Sequence, residues 1–154
     1  MVIDVYSIRD AKPVPDYRLI HKNINHFRTH YIMAKKILVI EDDKDIRETI
    51  TYALEDHQFE VISSEDAGIL RSLDSIKPDL ILLDNWLTDW KSDANGQQIS
   101  KGLKSDPKTS HIPIIMVSAV SNIEEIAEVG QANGYLKKPF DLTDLIAIVE
   151  KHVL

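Results

Sequence analysis

From Lys36 onward, short apolar runs alternate with stretches whose apolar residues recur every three or four positions. Ile37-Leu38-Val39-Ile40 closes on Glu41-Asp42-Asp43, after which Ile46, Ile50, Ala53 and Leu54 stand at helical spacing. That pattern predicts a strand followed by a helix, with Asp43 placed to cap the helix. Phe59-Glu60-Val61-Ile62 predicts a second strand, and Ile69, Leu70, Leu73 and Ile76 stripe a second helix. Pro78-Asp79 then leads into Leu80-Ile81-Leu82-Leu83, four consecutive apolar residues that end at Asp84. A run of that kind predicts a strand buried on both faces, as in the middle of a parallel sheet.

After a long polar loop, residues 96–104 predict a modest helix, weakened by Gly102 and stopped before Pro107. Ile112-Pro113-Ile114-Ile115-Met116-Val117 is a fourth strand, and Ile123, Ile126, Ala127 and Val129 stripe a further helix. Gly134-Tyr135-Leu136 is a short fifth strand, and Asp141 is placed to cap a last helix carrying Leu142, Leu145, Ile146, Val149 and Val153. Five strand-then-helix units predict an α/β fold, a doubly wound five-stranded parallel sheet with helices on both faces.

Residues 1–33 stand apart from this rhythm. They hold Pro13 and Pro15, three histidines (His21, His26, His30) and five Lys/Arg against three Asp, while the rest of the chain carries nearly all the acid. We read 1–33 as an N-terminal extension, with a weak helix over residues 17–32, and 34–154 as the folded domain. Met33-Ala34-Lys35-Lys36 would itself make a natural start for that domain. The histidines fall at no repeating metal-ligand spacing, so no metal site is assigned to them.

Composition narrows the function. A net charge of -7 and a pI near 5.3 argue against a surface that grips nucleic acid, which needs clustered Lys and Arg. The absence of cysteine removes disulfides, thiolate metal sites and cysteine nucleophiles together. No apolar run has the length of a membrane span, and residues 1–12 do not present a signal-peptide core. The expected location is cytoplasmic.

In such a sheet the carboxyl ends of the strands share one edge, where open α/β folds bind their ligands. Glu41, Asp42, Asp84, Ser118 and Lys138 all follow strands closely enough to reach it. Each alone has a plainer role: acids after a strand favour a helix N-terminus, and a single lysine, serine or tyrosine is ordinary surface or turn chemistry. Together they make a different object. Three crowded carboxylates need raised pKa values or a cation, and hard oxygen ligands in a small cluster suit Mg²⁺. A lysine and a hydroxyl facing that cation are what a phosphoryl group's remaining oxygens require.

The segment from Lys35 to Val153 resembles the receiver domain of two-component response regulators, in the motifs ILVIEDD at 37–43, PDLILLD at 78–84, PIIMVSA at 113–119 and GYLKKPF at 134–140. The resemblance implies the flavodoxin-like strand order 2-1-3-4-5. It implies that Asp84 accepts the phosphoryl group, that Asp42 and Asp84 ligate Mg²⁺, that Glu41 reaches the metal through water, and that the Trp86 backbone carbonyl completes the shell. Ser118 and Lys138 would hold the phosphoryl group, Tyr135 would be the aromatic switch, and the Lys138-Pro139 bond would be cis. A histidine kinase or histidine phosphotransfer protein would be the donor. The output would be protein contact through the fourth helix, fifth strand and fifth helix, a face that could also pair two copies, since no output domain follows Leu154. The protein would not be an enzyme beyond assisting its own phosphorylation and dephosphorylation.

One region departs from the family pattern. Leu87-Thr88 replaces the usual Met-Pro-like pair, and Gly96 stands twelve residues after Asp84 where the family has a glycine about eight residues on. The longer loop 86–95, with Asp89 and Asp93, lies next to the acceptor in sequence. A calcium loop over 89–100 fails on its offsets, and the Asp43/Asp45 pair lacks the downstream residues of a haloacid-type phosphatase. The alternative is a receiver-like interaction module that binds through the loop and the extension without phosphorylation.

Overall fold

The structure, a computed structural model, describes residues 34–87 and 95–153. The predicted helix over 17–32, the three extension histidines, and Asp89, Trp90 and Asp93 lie outside the described residues. Five strands, β1 (Lys36–Ile40), β2 (Glu60–Ser64), β3 (Leu80–Asp84), β4 (Ile114–Ser118) and β5 (Gly134–Lys137), pair in parallel in the order β2-β1-β3-β4-β5. The helices are α1 (Lys44–Asp56), α2 (Leu73–Ile76), α3 (Gly96–Ser105), α4 (Ile123–Val129) and α5 (Leu142–Val153).

Alternation along the strands divides the core in two. Ile37, Val39, Leu80, Leu82, Ile115 and Val117 face Ile50, Leu54, Leu145 and Val149 of α1 and α5. Leu38, Ile40, Ile81, Leu83, Ile114 and Met116 face Leu73, Ile123 and Ala127, with Ile99 and Leu103 of α3 against them. Every residue of β3 is buried, which explains why its sequence shows no polar alternation. Each such side chain contributes about 1.5–3 kcal/mol over its exposed state.

Helix ends follow local chemistry. The Asp43 carboxylate accepts from the Ile46 N–H at 3.0 Å, and Asn95 and Gln98 form a reciprocal capping box at the start of α3. The Asp141 carbonyl accepts from the Leu145 N–H at 3.2 Å, which puts Asp141 at the N-cap position of α5.

Three elements differ from the hydrophobic pattern. The Phe59 N–H returns to the Leu54 carbonyl at 3.1 Å while Gln58 takes φ 66°, so Phe59 closes α1 and β2 begins one residue later. Pro113 has no N–H and the Ile112 N–H is spent on Thr109, so β4 begins at Ile114. The second helical stripe is a 3₁₀ segment, Ala67–Ser72, followed by the single turn α2. The Asp66 carboxylate takes the Gly68 N–H at 2.6 Å, and Lys77 in the left-handed region ends the helix just before Pro78.

Gly96 carries a packing constraint. A Cβ there would meet the Asp84 carbonyl oxygen and lie 2.7 Å from the Asn85 Cα, both backbone atoms of a buried strand end. Gly96→Ala is therefore expected to cost about 1–3 kcal/mol, read by urea denaturation, because neither side of the contact can yield without moving β3.

Candidate phosphoacceptor and metal site

The register brings the expected groups together. Ile40 lies opposite Leu83, so Glu41 follows β1 beside Asp84, while Asp84 itself faces Val117, one residue before Ser118. Lys138 leaves β5 with its N–H donating to the Ser118 carbonyl at 2.9 Å. The Lys138 Nζ lies 2.7 Å from Glu41 Oε2 and 3.5 Å from Asp84 Oδ1. Glu41, Asp84 and Ser118 are buried, and Asp42 is partly exposed.

Glu41, Asp42 and Asp84 each offer a carboxylate oxygen within 4.8 Å of the others. Two oxygens on opposite sides of one Mg²⁺ stand about 4.2 Å apart, so this cluster has the span of a single ion's shell once one acid acts through water. Glu41 adds a second sign. Its Oε1 is buried without a hydrogen-bond partner, and Oε2 has the Lys138 ammonium as an ion-pair contact. Buried carboxylate oxygens in that state suit a cation or its water shell. The donor set therefore fits Mg²⁺.

Burial pushes the Asp84 carboxyl up to about 6, with the Glu41 charge adding to the rise. Lys138 and a hydrogen bond from the Trp86 backbone N–H pull the other way, and Asp42 raises it further. Burial is the largest cause of the rise, and the neighbouring acids add to it.

The remaining expected residues are placed as follows. The Ser118 side chain sits at the end of β4 with its Oγ accepting from the Val120 N–H at 3.5 Å. Tyr135 lies in β5 opposite Met116 and is 39% exposed, and Trp86 is 65% exposed, its side chain outside the cluster. The Lys138-Pro139 peptide is cis.

Two residues escaped the sequence analysis. The Arg47 Nη1 donates to the carbonyls of Glu41 at 2.6 Å and Asp42 at 3.1 Å, so α1 holds the acidic turn by its backbone. Asn85, buried just after Asp84, ties β3 to α3. Both act on main-chain atoms, and no spacing of side chains announces such contacts. Beside the cluster, α1 and the segment after β5 border a cleft of about 540 Å³ whose lining includes Ile46, Ile50, Ala119, Phe140, Leu142 and Lys138.

A parallel sheet in this order, with acids and a lysine converging at its carboxyl edge, defines a receiver-type α/β domain. The chain belongs to the response regulator receiver domain family, whose match covers residues 37–150. It is 37% identical over 122 residues to the phosphate regulon transcriptional regulatory protein PhoB of Escherichia coli, covering 77% of this chain and 51% of PhoB. It is 31% identical over 119 residues to chemotaxis protein CheY-3 of Vibrio cholerae, covering 75% of this chain and 89% of that protein. Among solved structures, the receiver domain of NtrX from Brucella abortus superposes with a TM-score of 0.68 at 29% identity, over 76% of this chain and 97% of that one. A response regulator from Chloroflexus aurantiacus shares the fold, with a TM-score of 0.71 at 23% identity over 78% and 98% of the two chains. The chain spans about half the length of PhoB and of several other curated relatives. Among the described residues no helix is long and apolar enough to cross a membrane.

Proposed function

We propose that Asp84 accepts a phosphoryl group from a phosphohistidine of a histidine kinase or histidine phosphotransfer protein, and that the acyl phosphate switches the protein's contacts with a downstream partner. The carrying observation is the clustering of Asp42 with the buried Glu41 and Asp84, with the Lys138 ammonium beside them. A carboxylate oxygen of Asp84 forms a bond to phosphorus as the phosphorus–nitrogen bond of the donor breaks, and the freed imidazole nitrogen takes up a proton. Asp42 and Asp84 would hold Mg²⁺ directly, with the Trp86 carbonyl and, through water, Glu41. Bound there, the ion supplies neutralisation of the transferring oxygens. Lys138 and the Ser118 hydroxyl bind the phosphoryl oxygens, and burial excludes competing water.

The switch follows from the same electrostatics. A phosphoryl dianion on Asp84 draws Lys138 and Ser118 toward it, and Tyr135, half exposed in β5, turns into the space Ser118 leaves. The face of α4, β5 and α5 then presents a different surface to a partner protein or to a second copy of the chain. Nucleic acid is no part of this function, and the setting is the cytoplasm.

The protein incubated with Mg²⁺ and a small-molecule phosphodonor is expected to gain the mass of one phosphoryl group, and to gain none when the metal is chelated. No adduct in either condition would favour a phosphorylation-independent interaction module.

A further inference from the structure

We propose that Asn85 is a positioning residue for the metal-binding turn, clipping the start of α3 to the end of β3 so that the peptide group of residue 86 stays turned toward Asp84. This rests on the assignment of Asp84 as a metal-liganding phosphoacceptor.

Asn85 is 3% exposed and is held on both sides. Its N–H donates to the Val117 carbonyl at 3.1 Å, which continues the β3–β4 ladder one step past Asp84. Its carbonyl accepts from the Gly96 N–H at 3.1 Å, and its side-chain Oδ1 accepts from the Gln97 N–H at 3.1 Å. The first two N–H groups of α3, which no helix satisfies internally, thus both end on one residue. Gly96 makes this approach possible, since a Cβ in its place would strike the backbone of residues 84 and 85.

The next residue is the functional one. The Trp86 N–H donates to the Asp84 carboxylate, and the Trp86 carbonyl is the backbone ligand assigned to the metal. Both groups belong to a stretch that leaves the site at Asn85 and returns to it at Gly96. That stretch is longer here than in the family pattern, so its two ends need a fastening independent of its length. A polar side chain fully enclosed at this point, spent on a backbone N–H of another element, supplies one. Outer partners of this kind orient ligands without touching the ion.

The test is Mg²⁺ binding by titration calorimetry on wild type, Asn85→Leu and Asn85→Asp, with phosphorylation rate followed against Mg²⁺ concentration. Asn85→Leu keeps the shape and loses the acceptor. It is expected to weaken Mg²⁺ binding about tenfold, the low end of what outer-shell changes cost. The Mg²⁺ concentration for half-maximal phosphorylation should rise by the same factor, with the maximal rate kept within about twofold. Asn85→Asp retains the acceptor oxygen and is expected to bind Mg²⁺ at least as tightly as wild type. Asn85→Ala carries the same test should the leucine variant not fold. Unchanged Mg²⁺ affinity in the leucine or alanine variant overturns the clip, and so does a loss of maximal rate that saturating Mg²⁺ does not restore. A wild-type protein that binds no Mg²⁺ overturns the metal assignment itself.

Discussion

Asp84→Asn is expected to abolish phosphoryl incorporation outright while making the metal-free protein more stable at neutral pH. The first effect follows because an amide has no carboxylate oxygen to attack phosphorus. Intact-mass measurement with Mg²⁺ and a phosphodonor checks it, and any adduct of wild-type yield on the variant would assign the chemistry elsewhere. The second effect follows from the raised pKa of Asp84, about 6 in the folded protein against 3.8 for a free side chain. Folding favours its protonated form, so Asp84 supports the folded state fully below about pH 4 and loses that contribution as pH rises through 6. At pH 7.5 the ionised group costs about 3 kcal/mol, which the neutral amide does not. Denaturation of both proteins without metal should show the variant ahead at pH 7.5 and the gap closing toward pH 4. A gap independent of pH would mean that the cost of ionising Asp84 is not what the substitution relieves.

Lys138→Ala is expected to separate phosphorylation from its consequence. The ammonium is the counter-charge of Glu41, which is 2% exposed, so its removal leaves a buried carboxylate unpaired at a cost of about 3–5 kcal/mol. Saturating Mg²⁺ should recover most of that loss, because the ion supplies the missing charge, and Mg²⁺ should bind more tightly once a competing cation is gone. The pKa of Asp84, which Lys138 lowers, should rise further, so phosphorylation at neutral pH is expected to slow but persist. The switch should fail, since nothing then draws β5 toward the dianion. Amide chemical shifts in α4 and β5, compared before and after phosphorylation, check this. Wild-type shift changes in the variant would remove Lys138 from the switching role.

These expectations reflect what side-chain order along a chain can and cannot disclose. β3 was legible because four enclosed apolar residues in a row have few other uses, and the convergence of Glu41, Asp42, Asp84 and Lys138 was legible because a parallel sheet gathers its strand ends on one edge. The α2 region misled because the stripe Ile69, Leu70, Leu73, Ile76 also suits a 3₁₀ segment running into one helical turn, with Asp66 competing for the backbone. Glu41 was legible as a charge, whereas the orphaned state of its Oε1 is set by three-dimensional packing. Arg47 and Asn85 were illegible for a simpler reason. Their partners are carbonyls and amides, which every residue possesses, so no residue type marks the far end of the bond.

The backbone bond from Lys138 to the Ser118 carbonyl joins, through the main chain, the two residues proposed to hold the phosphoryl group. Neither residue can be pulled inward without tugging the seam between β4 and β5 at the same point. The Lys138 amide proton is therefore the place where a pull on either side chain is expected to register.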